Sequence, residues 1–113
     1  MRKRRAAREL ALKFLYQAEF NSDDPDSELD PFFEMANVSE EIQSFTQTLV
    51  KNLLTHEKEV DELLKKISAN WALDRMAVID KNILRLGICE LLFDPATPPK
   101  VVINEAVEIA KKF

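Results

Sequence analysis

Residues 74–94 read DRMAVIDKNILRLGICELLFD, and this stretch decides the fold. Wound at 3.6 residues per turn, Met76, Val78, Ile79, Ile83, Leu84, Leu86, Ile88, Leu91, Leu92 and Phe93 cover most of the helix circumference. A helix that is apolar nearly all round belongs at the centre of a helical assembly. Gly87, the only glycine of the chain, costs such a helix about 1 kcal/mol relative to alanine, so a close approach by a neighbouring helix is expected there. Cys89 lies in the same apolar run and reads as an inert packing thiol; as a lone cysteine it has no internal disulfide partner.

Working outward, the flanking segments also carry helical periodicity. Residues 2–20 set Ala7, Leu10, Ala11, Phe14 and Ala18 on one face, with Leu15 beside them. From Glu19 to Glu41 there are nine acids and no base, punctuated by Pro25 and Pro31, which reads as a solvated connection with a short helical turn at FFEMA. Ser39 is a candidate N-cap for a pattern of Ile42, Phe45, Leu49 and Leu53, followed by a stripe of Val60, Leu63, Leu64 and Ile67. One straight helix over 39–68 would be unusually long, so a break is expected near Thr55 and His56. After Pro95, Pro98 and Pro99, with Thr97 as a candidate cap, KVVINEAVEIAKKF supplies a last helix with Val102, Ile103, Ala106, Val107 and Ala110 facing inward. Glu108 and Lys112 form an i,i+4 pair on its outside. No strand signal interrupts this order, so the fold class is all-α.

Length and composition narrow the function. The 113 residues, 46% hydrophobic, suit one domain over 1–113: a basic first helix at 1–20, the acidic connection at 21–37 and a helical core at 38–113. A single glycine excludes phosphate-cradling loops and the dinucleotide fingerprint. One His and one Cys in separate segments do not make a zinc site, and His56 has no nucleophile motif near it, so it reads as a surface or capping residue. Neither a catalytic residue nor a cofactor is expected. The chain has no membrane-length apolar run and no signal-peptide pattern, which points to the cytoplasm.

The first ten residues, MRKRRAAREL, pose the functional question. Five of the first eight are cationic, on a chain whose 16 Lys+Arg and 20 Asp+Glu give a net charge of −4. At 100° per residue Arg4, Arg5 and Arg8 project away from the Leu10/Phe14 face, and Leu12 and Tyr16 continue that side. Arginines bind phosphate bidentately and an exposed tyrosine stacks on a splayed base, the combination used for single-stranded RNA. The alternative is a solubilising basic tail with Tyr16 half-buried at the rim.

The segments NW..DR..VID.NILRLGICELL and TPPKVVINEAVEIAKKF, together with RRAARELALKFLYQ, resemble the bacterial antitermination factor family NusB nearly end to end. The resemblance implies an all-helical domain of two packed helical groups, without catalysis or cofactor, that binds boxA-type RNA together with NusE, a ribosomal protein. It makes Arg4, Arg5 and Arg8 phosphate contacts, matches Tyr16 to a tyrosine on the RNA-facing surface, and adds Lys100 before the signature helix. It sets Asp80 of the central helix toward NusE, with Asp74 one to two turns earlier. Family members continue with a further loop and terminal helix, so the apolar stripe of Ile109, Ala110 and Phe113 is expected to leave this chain less stable or self-associating as a homodimer. Two rivals stand beside this reading: the N-terminal RNA-binding domain of a ribosomal RNA cytosine methyltransferase, and a helical scaffold that recognises only protein.

Overall fold

The computed structural model describes residues 2–21, 24–67 and 77–113. Trp71, Asp74 and Met76 lie outside them, as do the side chains of Arg2 and Ile67. The described residues form α1 (Arg2–Asn21), a 3₁₀ turn (Pro25–Glu28), α2 (Leu29–Ala36), α3 (Glu40–Ile67), α4 (Val78–Phe93) and α5 (Pro99–Lys112), with no strand among them.

Each boundary has a local cause. The two-turn α2 ends at Asn37, which takes the left-handed conformation (φ 51°) and donates its backbone N–H to the Phe33 carbonyl at 3.1 Å, the usual helix stop built on Asn or Gly. Ser39 caps α3 as expected, its Oγ accepting from the Ile42 N–H at 3.4 Å. Glu40 and Glu41 in the first turn of α3 and Lys65 and Lys66 in the last complement the helix dipole. The expected break falls at His56, whose φ of −111° and ψ of 17° are not helical. The His56 ring stacks on Phe93 at the end of α4, with centroids 3.9 Å apart and planes 14° apart, which holds the kink against the helix it bends around. Pro99 opens α5 at its first turn, where its missing N–H costs nothing.

The core is shared by all five helices. Ala11, Phe14, Leu15 and Ala18 of α1 meet Leu29 and Phe33 of α2, Leu49, Val50, Leu53 and Val60 of α3, Ile83, Leu86 and Cys89 of α4, and Ile109 of α5. Phe14 sits edge-on to Phe32 at 5.2 Å, so the acidic connection does more than cross solvent: α2 closes one side of the core. Thr46, fully buried, adds a polar tie, its hydroxyl lying 2.7 Å from the Ile42 carbonyl and 3.2 Å from that of Ala7.

Helix α4 is central, packing on α1, α3 and α5, yet it is not buried all round. Its inward side carries three polar residues, Asn82, Arg85 and Glu90, while Leu84, Leu91 and Leu92 face out. Arg85 clamps α4 to α3 by donating to both carboxylate oxygens of Asp61 at 2.7 and 2.8 Å and to Asn82 Oδ1 at 3.2 Å. Burial opposes the charge of Arg85, but the hydrogen bonds and charge of Asp61 outweigh it and leave the guanidinium pKa raised. Burial, with help from the Glu90 charge, pushes the Cys89 thiol up to about 11, in line with an inert packing role.

Several expectations need correction. The close approach expected at Gly87 is not made: a Cβ there would meet nothing within 4 Å, because half-buried Gly87 lines a small crevice that α4 shares with Leu12 of α1 and with Val102 and Ala106 of α5. On α5 the buried side is Val102, Glu105 and Ile109, and Ile103, Val107 and Ala110 are exposed, since α5 presents a single narrow stripe to α4. Lys112 pairs with Glu9 of α1 at 2.5 Å rather than with Glu108, which takes Lys111 at 3.4 Å. Thr97 is not the cap of α5, whose N-cap is Pro98. Instead its buried hydroxyl donates to Asp94 Oδ2 at 2.8 Å and ties the interhelical turn together.

Candidate nucleic-acid interface

Helix α1 carries six cations, Arg2, Lys3, Arg4, Arg5, Arg8 and Lys13, against two acids, Glu9 and Glu19. The fold sorts them by what lies opposite. Arg8 points inward, 3% exposed, and donates through Nε and Nη2 to Glu90 Oε1 and Oε2 at 2.7 and 2.9 Å. Its Nη1 and the Glu105 Oε1 face each other at 3.6 Å, just beyond hydrogen-bond distance, and neither has another partner. Leu12, expected on the same outer strip, is 2% exposed. The expected exposure of Arg8 is therefore corrected: buried acids on α4 and α5 turn it into the core, and it presents no free guanidinium to phosphate.

Arg5 sits half out of this cluster. Its Nε and Nη2 donate to Glu105 Oε2 at 2.9 and 2.6 Å, which raises its pKa through the hydrogen bond and the carboxylate charge, and Nη1 is left over. Lys3 pairs with Glu41 at 2.8 Å on the surface, and that hydrogen bond lowers the Glu41 pKa. Arg4 has no acid. Its Nη1 donates to Thr97 Oγ1 at 3.0 Å and its guanidinium lies over the Phe45 ring at 4.8 Å, so its full charge faces solvent from a fixed position. Beside it a shallow cleft of about 290 Å³ is lined by Lys3, Arg4, Glu41, Ser44, Phe45 and Thr48.

Along the outer side of α1 the sorting runs the other way. Glu9 is held by Lys112, and Glu19 by Lys81 at 3.0 Å and Arg85 at 3.8 Å, so both acids are neutralised by cations from other helices. Lys13 is exposed and has no ion-pair or hydrogen-bond partner among the described residues. Tyr16 is 44% exposed, as expected, and meets Phe20, 62% exposed, edge-on at 5.2 Å. Lys100 is exposed at the first turn of α5, also without a partner among the described residues. The outcome is a strip along one face of α1 made of part of Arg5, Lys13 and two open rings, Tyr16 and Phe20; Arg4 is a separate exposed cation, nine residues and so half a rotation of the helix away from Lys13, where it lies against Phe45 of α3.

The sequence reading missed Lys13 and Phe20, although the signal was present. Phe20 stands four residues after Tyr16 and Lys13 three before it, the spacings that place side chains on one helix face. The acids that claim Arg5 and Arg8 were also visible in outline: Glu90 and Glu105 interrupt apolar stripes, and an acid on a buried stripe requires a cation.

On α4, Asp80, Leu84 and Leu91 recur at helical spacing along an exposed stripe. Asp80 is exposed and has no partner among the described residues. Asp74, expected beside it, lies outside the described residues.

Residues 5–113 of the chain match the model of the NusB family. The chain belongs to the NusB family. A transcription antitermination protein NusB of Desulforapulum autotrophicum is 45% identical over 97% of this chain and 78% of its own length. One of Myxococcus xanthus is 43% identical over 97% of this chain and 81% of its own length. Among solved structures, NusB of T. maritima superposes with a TM-score of 0.88 at 32% identity, covering 97% of this chain and 78% of that one. A crystal structure of the antitermination factors NusB and NusE in complex with dsRNA superposes with a TM-score of 0.86 at 28% identity, over 99% and 83% of the two chains. The all-α NusB fold expected from the signature helices is thus the one observed. Among the described residues no helix is long and apolar enough to cross a membrane.

Proposed function

We propose that this chain is an RNA-binding transcription antitermination factor that takes boxA-type RNA on the α1 strip and NusE on the outer stripe of α4. The observation that carries the RNA half is the charge sorting: on an acidic protein, every acid of α1 is neutralised from elsewhere while Arg4 and Lys13 are left free. The NusB relatives and the NusB–NusE–dsRNA complex support the same reading. In it, Arg4, the spare Nη1 of Arg5, Lys13 and Lys100 hold phosphates, Tyr16 stacks on a base, and Arg8 serves the fold. The chain acts by binding, without chemistry, alongside the transcription machinery in the cytoplasm.

For the partner half, Asp80 is a lone charge beside exposed Leu84 and Leu91, which suits a NusE surface carrying a cation next to apolar groups. Because coupling between two ligands is reciprocal, NusE raises the affinity for RNA by the factor by which RNA raises the affinity for NusE. The test is a titration of boxA-type RNA against the chain with and without NusE, repeated for Asp80→Asn. Cooperative binding that weakens in Asp80→Asn supports the reading; equal RNA affinity with and without NusE defeats the joint mechanism.

A further inference from the structure

The strip contains one feature that phosphate binding does not use. Phe20 is among the most exposed apolar side chains of the chain, at 62%, and sits at the end of α1 where it contributes to no core contact. Exposing a ring of this size is unfavourable in water, and one edge-to-face contact with Tyr16 covers only part of it. The two ring planes meet at 64° with centroids 5.2 Å apart, so together they form a corner with open faces rather than a closed stack. The local charge is prepared for a polyanion. Glu19, next in sequence to Phe20, is drawn off to Lys81 and Arg85, and Lys13 stands without a partner among the described residues about two turns back on the same face.

From this we infer that Phe20 is a second base-stacking residue, and that the Tyr16–Phe20 corner makes the α1 strip select unpaired over base-paired RNA. The inference rests on the RNA reading above and adds to it the element that sets strand preference. The physical distinction is simple. Phosphates are offered by single strands and duplexes alike, so Arg4 and Lys13 do not separate them. A base in a duplex is stacked on its neighbours and its face is closed, whereas a splayed base can lie against an aromatic ring. Only the corner reads that difference.

The experiment compares dissociation constants, with NusE present throughout, for a short single-stranded boxA-type RNA and for the same strand annealed to its complement. The parent chain, Phe20→Ala, Phe20→Leu, Phe20→Trp and Arg4→Ala are measured across a salt series, and thermal melts confirm that each variant is folded. Phe20→Ala is expected to weaken single-strand binding by about 5- to 150-fold, the range for one stacked base, and to leave duplex binding and the salt slope unchanged. Phe20→Leu, which keeps apolar area but has no aromatic face, should behave like Phe20→Ala, and Phe20→Trp should restore the parental preference. Arg4→Ala should weaken both RNAs alike. The inference is overturned if Phe20→Ala weakens both RNAs equally or neither, if Phe20→Leu binds single strands as the parent does, or if the parent binds the duplex as tightly as the strand. If the parent binds neither RNA, the RNA reading itself falls, a result distinct from any of these.

Discussion

Arg8 and Arg4 stand four residues apart on the same helix, yet their replacement should have opposite consequences. Arg8 is paired through Nε and Nη2 with both carboxylate oxygens of Glu90, and both side chains are buried. Arg8→Met leaves the Glu90 carboxylate without its cation; breaking such a buried pair costs about 3–5 kcal/mol. A chain of this size holds roughly 5–15 kcal/mol in total, and each kcal/mol moves the melting temperature by about 4–8 °C, so a drop of at least about 12 °C is expected. Arg8→Met/Glu90→Leu removes both charges and should recover most of the loss, because a buried pair replaced by apolar groups is often neutral. Lys13→Ala should barely move the melting temperature, since surface substitutions usually stay within about 0.5 kcal/mol, and Arg4→Ala, which loses the hydrogen bond to Thr97 and the contact with Phe45, should cost about 1–2 kcal/mol, still less than Arg8→Met. RNA binding separates the residues again. Each phosphate neutralised on a single strand contributes about −0.7 to the slope of log affinity against log salt, so Arg4→Ala and Lys13→Ala should each flatten the slope by about 0.7. The folded Arg8→Met/Glu90→Leu variant should keep the parental slope. Were that variant to melt like the parent and flatten the slope by about 0.7, the assignment of Arg8 to the core rather than to phosphate would be wrong.

Gly87→Ala should stabilise the chain by about 1 kcal/mol in urea unfolding, because the helix gains propensity and the added methyl meets nothing; a loss of stability would mean that the crevice beside Gly87 has no room for a methyl group. Cys89 should resist alkylation near pH 8 until the protein is unfolded, given a thiol pushed up to about 11. The same shift has a sign for stability: the folded pKa lies above the unfolded one, so the contribution is complete below about pH 8.5 and is lost as pH rises toward 11. Chemical denaturation at pH 8 and pH 10 should show that loss in the parent and a smaller one in Cys89→Ala. His56→Ala removes the ring stacked on Phe93 and should cost about 0.5–1.5 kcal/mol beyond the area lost, read by a double-mutant cycle with Phe93→Leu; a zero coupling would detach the kink from α4.

Periodicity carried the fold because each buried stripe repeats at helical spacing. The α1 face of Ala7, Ala11, Phe14 and Ala18, the cap at Ser39 and the break at His56 are all local facts, and local facts are what a one-dimensional pattern records. What it does not record is which of several similar faces another helix covers. Ile103 and Val107 lie as regularly along α5 as Val102 and Ala106, and only the position of α4 decides that the first pair stays outside.

The site shows this limit in its sharpest form, because a cation is defined by its partner and the partners here lie 82 to 100 residues away in sequence. In sequence Arg4, Arg5 and Arg8 look like three phosphate contacts until Glu90 and Glu105 are placed, after which Arg8 is structural and Arg5 is half committed. The acids that remove those arginines from the surface also explain how a strip can be positive on a protein of net charge −4. Acid is spent in the interior and on the flanks of α1, where it fixes cations or is fixed by them, and not across the face that carries Lys13 and the two rings. Exposed single charges are screened within about 8–10 Å at physiological salt, so attraction to a polyanion depends on the few charges beside it and not on the total. Local sorting therefore outweighs net charge, and a chain of net charge −4 can still offer RNA a positive face along one helix.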